Sequence, residues 1–221
     1  MQNNVIAGAN AETILSTNKL IRNTYILLSM TLLFSAFTAA ISVLLRMPPS
    51  TYLFSIGGAF LLMWFVLPKT AHSSSGIGVV FLITGLLGFS LGPILNMYLA
   101  LPNGPQIVAT ALGGTGVIFL GLSGYALTTK KDFSFLGGFL FVGFLVVLGA
   151  AILNIFMAIP ALSLALSAAI VMLMSGFILF DTSRMINGGI DNYVLATIQL
   201  YMNIFNLFIS LLHLLGFSRS D

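Results

Sequence analysis

Residues 133–157 read FSFLGGFLFVGFLVVLGAAILNIFM, a run without a single charged side chain. About 20 apolar residues are enough for a helix to cross the hydrocarbon core of a bilayer, whereas a spanning β-strand is about half that length and alternates in polarity. The run is continuous and too long for a strand, so it predicts a transmembrane helix. Six further apolar runs fall at 24–45, 51–67, 77–99, 107–128, 161–185 and 193–217. The breaks between the runs are Arg46-Met47-Pro48-Pro49, Pro68-Lys69-Thr70, Pro102-Asn103-Gly104-Pro105, Lys130-Lys131-Asp132, Ile159-Pro160 and Asn187-Gly188-Gly189. Pro and Gly mark helix ends in such positions. The expected fold is all-α: a polytopic membrane protein with seven transmembrane helices.

Composition agrees. The 221 residues include 8 Lys and Arg and 5 Asp and Glu, so 6% are charged and 58% are hydrophobic. A soluble domain carries roughly 25% charged residues. With a mean hydropathy of +1.09, this chain cannot cover a soluble globule with a polar shell. A soluble enzyme is excluded, and so is intrinsic disorder, which needs low hydrophobicity and high charge. The net charge of +3 is too thinly spread to form a nucleic-acid-binding patch. The absence of Cys removes disulfides, thiolate metal sites and Cys nucleophiles.

Seven spans use about 140–150 residues and leave no room for a second, soluble domain. The expected division is a cytoplasmic tail at 1–22, a seven-helix domain at 23–217 and a short external C-terminus at 218–221. The tail is polar, with a short helix expected around Ala11–Leu20. It is not a signal peptide, because the first apolar run begins only near Tyr25 and is too long for one. Lys19, Arg22, Lys69, Lys130, Lys131 and Arg184 fall on one side of the membrane, and only Arg46 and Arg219 on the other. By the positive-inside rule the N-terminus is cytoplasmic. An odd number of spans then puts the C-terminus outside.

The chain also repeats itself. Ile94-Leu95-Asn96-Met97-Tyr98-Leu99-Ala100-Leu101-Pro102 at the end of the third run matches Ile152-Leu153-Asn154-Ile155-Phe156-Met157-Ala158-Ile159-Pro160 at the end of the fifth. Ser123-Gly124-Tyr125-Ala126-Leu127 likewise matches Ser175-Gly176-Phe177-Ile178-Leu179. The pattern implies three helix hairpins in one orientation around an unpaired seventh helix, in the manner of transporter repeats; convergent helix-end chemistry is the alternative.

An ionisable side chain inside a membrane span is a functional-site candidate by default. Asp181 is the informative one, one to two turns inside the end of the sixth helix. Either it snorkels to the interface beside Arg184, its candidate ion-pair partner three residues on, or it faces the bundle and needs another partner. The last helix offers one. Gln199, Asn203, Asn206, Ser210 and His213 recur at spacings of four and three, within an arc of roughly 80° at ~100° per residue. A narrow polar stripe cannot face lipid, so this helix is expected at the centre. The stripe serves either as interhelical glue or as a polar pathway with His213 at its outer end. Asp181 approaches the depth of Gln199 and Asn203. Asp191 reads as a charge at the N-terminus of the last helix.

Catalysis is not supported. Gly121-Leu122-Ser123-Gly124 has the form seen around intramembrane serine nucleophiles. However, Ser123 lies about 24 Å from the outer end of its helix and His213 about 6 Å from the outer face, out of hydrogen-bond reach. Gly113-Gly114-Thr115-Gly116 is followed by no Lys-Ser/Thr and is not a phosphate loop. Gly88-Phe89-Ser90-Leu91-Gly92 is a small-xxx-small packing pattern. There is no metal-ligand cluster, and Asp181 is the only candidate carboxylate for one.

Phe180-Asp181-Thr182, the Gly188-Gly189 break, Asn192-Tyr193 and Leu200-Tyr201-Met202-Asn203-Ile204-Phe205-Asn206-Leu207-Phe208 resemble the signature of the Bax inhibitor-1 family. Asn23-Thr24-Tyr25, Gly92-Pro93-Ile94-Leu95-Asn96, Leu127-Thr128-Thr129 and Phe135-Leu136-Gly137-Gly138 resemble its enterobacterial branch, which includes an inner-membrane modulator of the FtsH protease. The resemblance implies six helices around a central seventh; no cofactor is expected, calcium entering only as a candidate transported ion. It also implies a multi-pass protein of the bacterial inner membrane that associates with an FtsH-type ATP-dependent AAA protease and modulates it, with the N-terminal tail as a handle. Some members of the family leak calcium or other cations in a pH-dependent way through a buried aspartate pair. Asp181 matches the first aspartate, but Asn203 stands where the second is expected. The pathway residues implied here are Asp181, Asn203, Gln199 and Asn206.

Overall fold

In the computed structural model every apolar run is helical. Backbone is described for residues 2–217 and side chains for residues 15–217; Arg219, Asp221 and the side chains of the proposed handle before Leu15 lie outside the described residues. The helices are α1 (Gln2–Leu44), α2 (Ser50–Leu61), α3 (Leu67–Thr70), α4 (Ser75–Leu99), α5 (Gly104–Thr129), α6 (Leu136–Met157), α7 (Pro160–Ile186) and α8 (Tyr193–Phe217). Seven spans among the described residues are long and apolar enough to cross a membrane, and the chain is a multi-pass membrane protein.

Two boundaries differ from the sequence expectation. The helix that carries the first apolar run extends back to Gln2, well beyond the short tail helix expected around Ala11–Leu20. Extending an existing helix adds a hydrogen bond per residue and avoids a new nucleus. The second span does not stop before Pro68. Proline has no N–H, and its ring crowds the carbonyl four residues back, here that of Trp64. The helix widens into a π turn over Leu62–Val66 and resumes as α3.

Helix α8 is the axis, packed on α7, α5, α1 and α4. Helix α4 is buried to the same degree, which the sequence did not signal. The outermost helices are α2, which leans on α4, and α6, which touches only α7. The three sequence-local hairpins are therefore only partly realised: α4–α5 and α6–α7 pack as pairs, but α1 and α2 do not meet. Helix α1 lies instead along α4, where Gly88 and Gly92 bring the two backbones together; a Cβ at Gly88 would run into the Ser35 carbonyl oxygen and one at Gly92 into the Ser42 hydroxyl. Small residues replace the hydrophobic effect as the means of close helix approach in lipid.

The repeated segments end differently. Ala100 keeps a right-handed conformation (φ −75°) and leads into a turn through Pro102 and Asn103. Ala158 is left-handed (φ 50°) and closes α6 with its N–H on Asn154 O. Pro160 starts α7 almost at once and forces Ile159 into an extended conformation (φ −85°, ψ 113°), so the chain must reverse within Ala158 and Ile159. The Asn154 carboxamide secures the turn, accepting from Ile159 N (3.0 Å) and donating to Ser163 Oγ (2.7 Å).

The end of the bundle carrying Lys69, Lys130, Lys131 and Arg184 is tied by hydrogen bonds between loops. Asn192 Nδ2 donates to Ala71 O (2.8 Å), Phe133 N donates to Ser183 Oγ (2.8 Å), and Ser183 Oγ donates to Lys131 O (3.2 Å). At the start of α6, the Ser134 side chain and backbone N–H hold the exposed Asp132 carboxyl below the usual carboxylate range. At the opposite end Asn96 Nδ2 reaches Val43 O (3.4 Å), and Gly216 makes room for the Tyr98 ring.

Candidate functional site

Asp181 does not snorkel. It is 6% exposed, and its Oδ2 accepts a hydrogen bond from Asn203 Nδ2 at 2.7 Å. Residues 182 and 183 beside it, Thr and Ser, are fully buried. Arg184 is not its hydrogen-bonded ion-pair partner: Arg184 Nη2 donates to Gly189 O (2.9 Å), and the guanidinium lies 5.4 Å from the centre of the Phe180 ring. Three residues along a helix leave Arg184 within about 60° of Asp181 on the same side of α7, so it is the Gly189 carbonyl and the Phe180 ring, not helix rotation, that hold its guanidinium off the carboxylate. Among the described residues the side-chain hydrogen bond to the carboxylate comes from a neutral amide, across two transmembrane helices, with the Arg184 charge acting only at longer range.

The polar stripe of α8 resolves into distinct environments. Asn203 meets Asp181. One turn toward the loop end, Gln199 Oε1 is buried without a hydrogen-bond donor among the described residues, an exception to the rule that buried polar atoms are paired. Asn206 Nδ2 donates to Met202 O in its own helix (2.8 Å). At the far end His213 Nδ1 and Ser167 Oγ of α7 are hydrogen-bonded at 2.8 Å. His213 and Ser210 line a cavity of about 440 Å³ between α4, α6, α7 and α8, with Tyr98, Asn154, Ser163 and Ser167 on its walls. The cavity ends near Ser210, two helical turns short of Asn203. Chemically, the arrangement offers oxygen acceptors at Asp181 and, separately, at Gln199 inside the membrane, and above them a largely apolar vestibule into which His213, Ser210, Ser163 and Ser167 bring a few polar groups. Among the described residues there is no group of three or more His, Cys, Asp or Glu able to hold a metal ion.

Ser123 is occupied structurally. It bonds the Tyr25 hydroxyl and Thr182 Oγ1 (3.2 Å), joining α1, α5 and α7, while His213 pairs with Ser167.

The sequence matches the family described as inhibitor of apoptosis-promoting Bax1 over residues 17–220. The chain belongs to the Bax inhibitor-1 family. It is 48% identical over 217 residues to the modulator of FtsH protease YccA of Escherichia coli K12, covering 98% of each chain. It is 48% identical over 213 residues to a membrane protein of Vibrio cholerae, covering 96% of each. A Pseudomonas aeruginosa protein is 47% identical over 202 residues, covering 91% of this chain and 90% of the relative.

Within the Bax inhibitor-1 fold, two structural residues escaped the sequence reading. Asn192, rather than Asp191, caps α8: its Oδ1 accepts from Val194 N (2.8 Å) and Leu195 N (3.2 Å), while Asp191 is exposed. An Asn immediately before an apolar helical run is the available signal. Its Nδ2, oriented by those two backbone donors, also approaches His72 Nδ1 (3.2 Å). The second is Tyr201, whose hydroxyl bonds Ser35 Oγ (2.5 Å) and donates to Thr84 O (3.3 Å). Among aromatic neighbours in a spanning run, no periodicity distinguishes it.

Proposed function

We propose that this protein is a regulatory protein of the bacterial inner membrane, N-terminus in the cytoplasm, which associates with an FtsH-type ATP-dependent protease and restrains its attack on membrane proteins. The observation that carries this reading is the identity of 48% with a protein named as a modulator of that protease, across 98% of both chains. A second relative with the same identity and coverage is named an inner membrane protein. The positive residues at one end of the bundle support the orientation. Residues 1–20 are the candidate handle for a protease that pulls on termini. Affinity purification from membranes is expected to recover the protease with the full-length chain and to lose it when residues 2–20 are deleted. Undiminished recovery with the deletion would remove the handle, and no recovery with either form would reject the association.

The buried Asp181 favours a second reading, a leak for calcium or another cation along α8. A carboxylate bonded to an amide, with an unpaired carbonyl oxygen one turn away on Gln199, is a set of oxygen acceptors of the kind hard cations use, and the His213 vestibule supplies an approach. The Asp181–Asn203 contact would be the closed gate. Because Asn203 replaces a second carboxylate, the coupled titration of an aspartate pair is missing. Flux into dye-loaded liposomes is expected to follow pH as a single carboxylate titrates in this chain and to acquire a steeper pH dependence with Asn203→Asp. Calcium entry unaltered by Asp181→Asn, or none at any pH between 6 and 8, would reject this reading and leave the first standing.

A further inference from the structure

A large cavity lies on the other side of α8 from Asp181. It measures about 630 Å³ and runs between α1 and α5 down to α8 and α4. One wall is the small-residue face of α1, with Ser35, Ala36, Ala39 and Ala40. The opposite wall includes Leu112 and Gly116 of α5. Helices α1 and α5 do not pack against each other; they meet through Tyr25, whose hydroxyl bonds Ser123 and whose ring lies 6.1 Å from that of Phe119. Beyond that clasp they diverge, and the crevice opens sideways where the bilayer lies.

We propose that this crevice binds an acyl chain of a phospholipid from the leaflet on the side of the α1–α2 loop. Its length fits. The α1 lining runs from Leu32 to Leu44, about 18 Å at a rise of ~1.5 Å per residue. The α5 lining runs from Val108 to Phe119, about 16 Å. One leaflet contributes about 15 Å of hydrocarbon, half of the ~30 Å core. The lining chemistry fits as well. It contains no charged side chain. Its three hydroxyls are already bonded within the protein: Ser35 with Tyr201, Tyr201 to Thr84 O, and Thr115 to Ala111 O. Water there would find few partners, and a dry void would deprive the apolar walls of contacts. Hydrocarbon meets both conditions.

The mouth supplies a charge for the headgroup. Arg46 is exposed and stands two residues beyond Leu44, the last α1 residue of the lining. A snorkelling guanidinium at that level is placed for a lipid phosphate, and an anionic phospholipid is the expected occupant.

Native mass spectrometry of the full chain, released from membranes in mild detergent, tests this. One phospholipid per chain is expected to remain bound. Gly116→Leu fills the crevice at a position where an added Cβ meets nothing within 4 Å, so the fold should tolerate it; Ala40→Phe fills it from the other wall. Both should lower lipid occupancy at least tenfold, with helicity unchanged. Val117→Phe, beside the crevice but outside its lining, should retain the lipid. Arg46→Ala should remove a preference for phosphatidylglycerol over phosphatidylethanolamine. Equal occupancy in all the variants, or no lipid retained by the parent chain, would overturn the acyl-chain site. Unchanged headgroup preference in Arg46→Ala would overturn the phosphate contact.

Discussion

Helices α6 and α8 are opposites. By mean hydropathy α6 is the most apolar of the seven spans and α8 the least, yet 6% of the α6 span is buried in the protein against 56% of α8. In a soluble protein the order would be reversed, because water expels the apolar helix into the core. Here the solvent for α6 is hydrocarbon, which already accepts its Phe and Leu side chains, and association gains nothing from hiding them. The helix that must be enclosed is the one whose Asn, Gln and His side chains lipid cannot satisfy. What holds α8 in place is shape and hydrogen bonding, and what frees α6 is the lack of need for either.

The sharpest break of this comparison uses the same substitution in both helices. Leu207 on α8 is fully buried, and Leu153 on α6 is 60% exposed. Leu207→Ala leaves a cavity and is expected to cost about 2–5 kcal/mol. Leu153→Ala exchanges lipid contacts for lipid contacts and should change stability by no more than about 0.5 kcal/mol. Unfolding by SDS titration in mixed micelles, followed by helicity, measures both. Equal losses would mean that α6 is packed against something in the folded protein and that the contrast drawn here is false.

The α8 half of this contrast is legible in the sequence, because a stripe at spacings of four and three states which face must be enclosed. So is the existence of all seven spans, since each depends on length and apolarity alone. What lies beyond one helix is less legible. The α1–α4 contact depends on two surfaces distant in sequence; the Gly88–Gly92 pattern identifies one of them but does not say which helix fills it. Asp181 was identifiable as the carboxylate to explain, and Asn203 as within its reach. That Arg184 would turn away depends on the Asn187-to-Gly189 loop bringing Gly189 O under its guanidinium, which no local pattern encodes.

Glycines draw the same contrast at smaller scale. Gly88 faces the α1 backbone, while Gly113 on α5 has nothing within 4 Å of where its Cβ would stand. Gly88→Ala must push α1 off α4 and is expected to destabilise by about 1–3 kcal/mol. Gly113→Ala meets no such neighbour and replaces a poor helix former, so it should stabilise by up to about 1 kcal/mol. The same SDS titration reads both, and the opposite signs are the test: destabilisation by Gly113→Ala would show that its face of α5 is an interface rather than a lipid surface.

The finest version of the comparison concerns hydroxyls. The Tyr25 and Ser123 hydroxyls bond across helices, with Thr182 as the third member, whereas Thr128 on exposed α5 surface donates to Gly124 O in its own helix (2.7 Å). Interhelical hydrogen bonds in membranes average about 0.6 kcal/mol in double-mutant cycles, with a maximum near 1.7, because the unfolded chain in lipid also finds partners. A cycle of Tyr25→Phe and Ser123→Ala should therefore give a coupling of about 0.6 kcal/mol, and Thr128→Val a change within about 0.3 kcal/mol. The clasp has a further consequence that stability does not register. It is where α1 and α5 are held together below the crevice, so losing it should raise their mobility along the lipid-facing opening, read by spin labels at Leu33 and Val117, both exposed. No coupling between Tyr25 and Ser123, together with unchanged label mobility, would show that enclosure by α4 and α8 alone holds α1 in place.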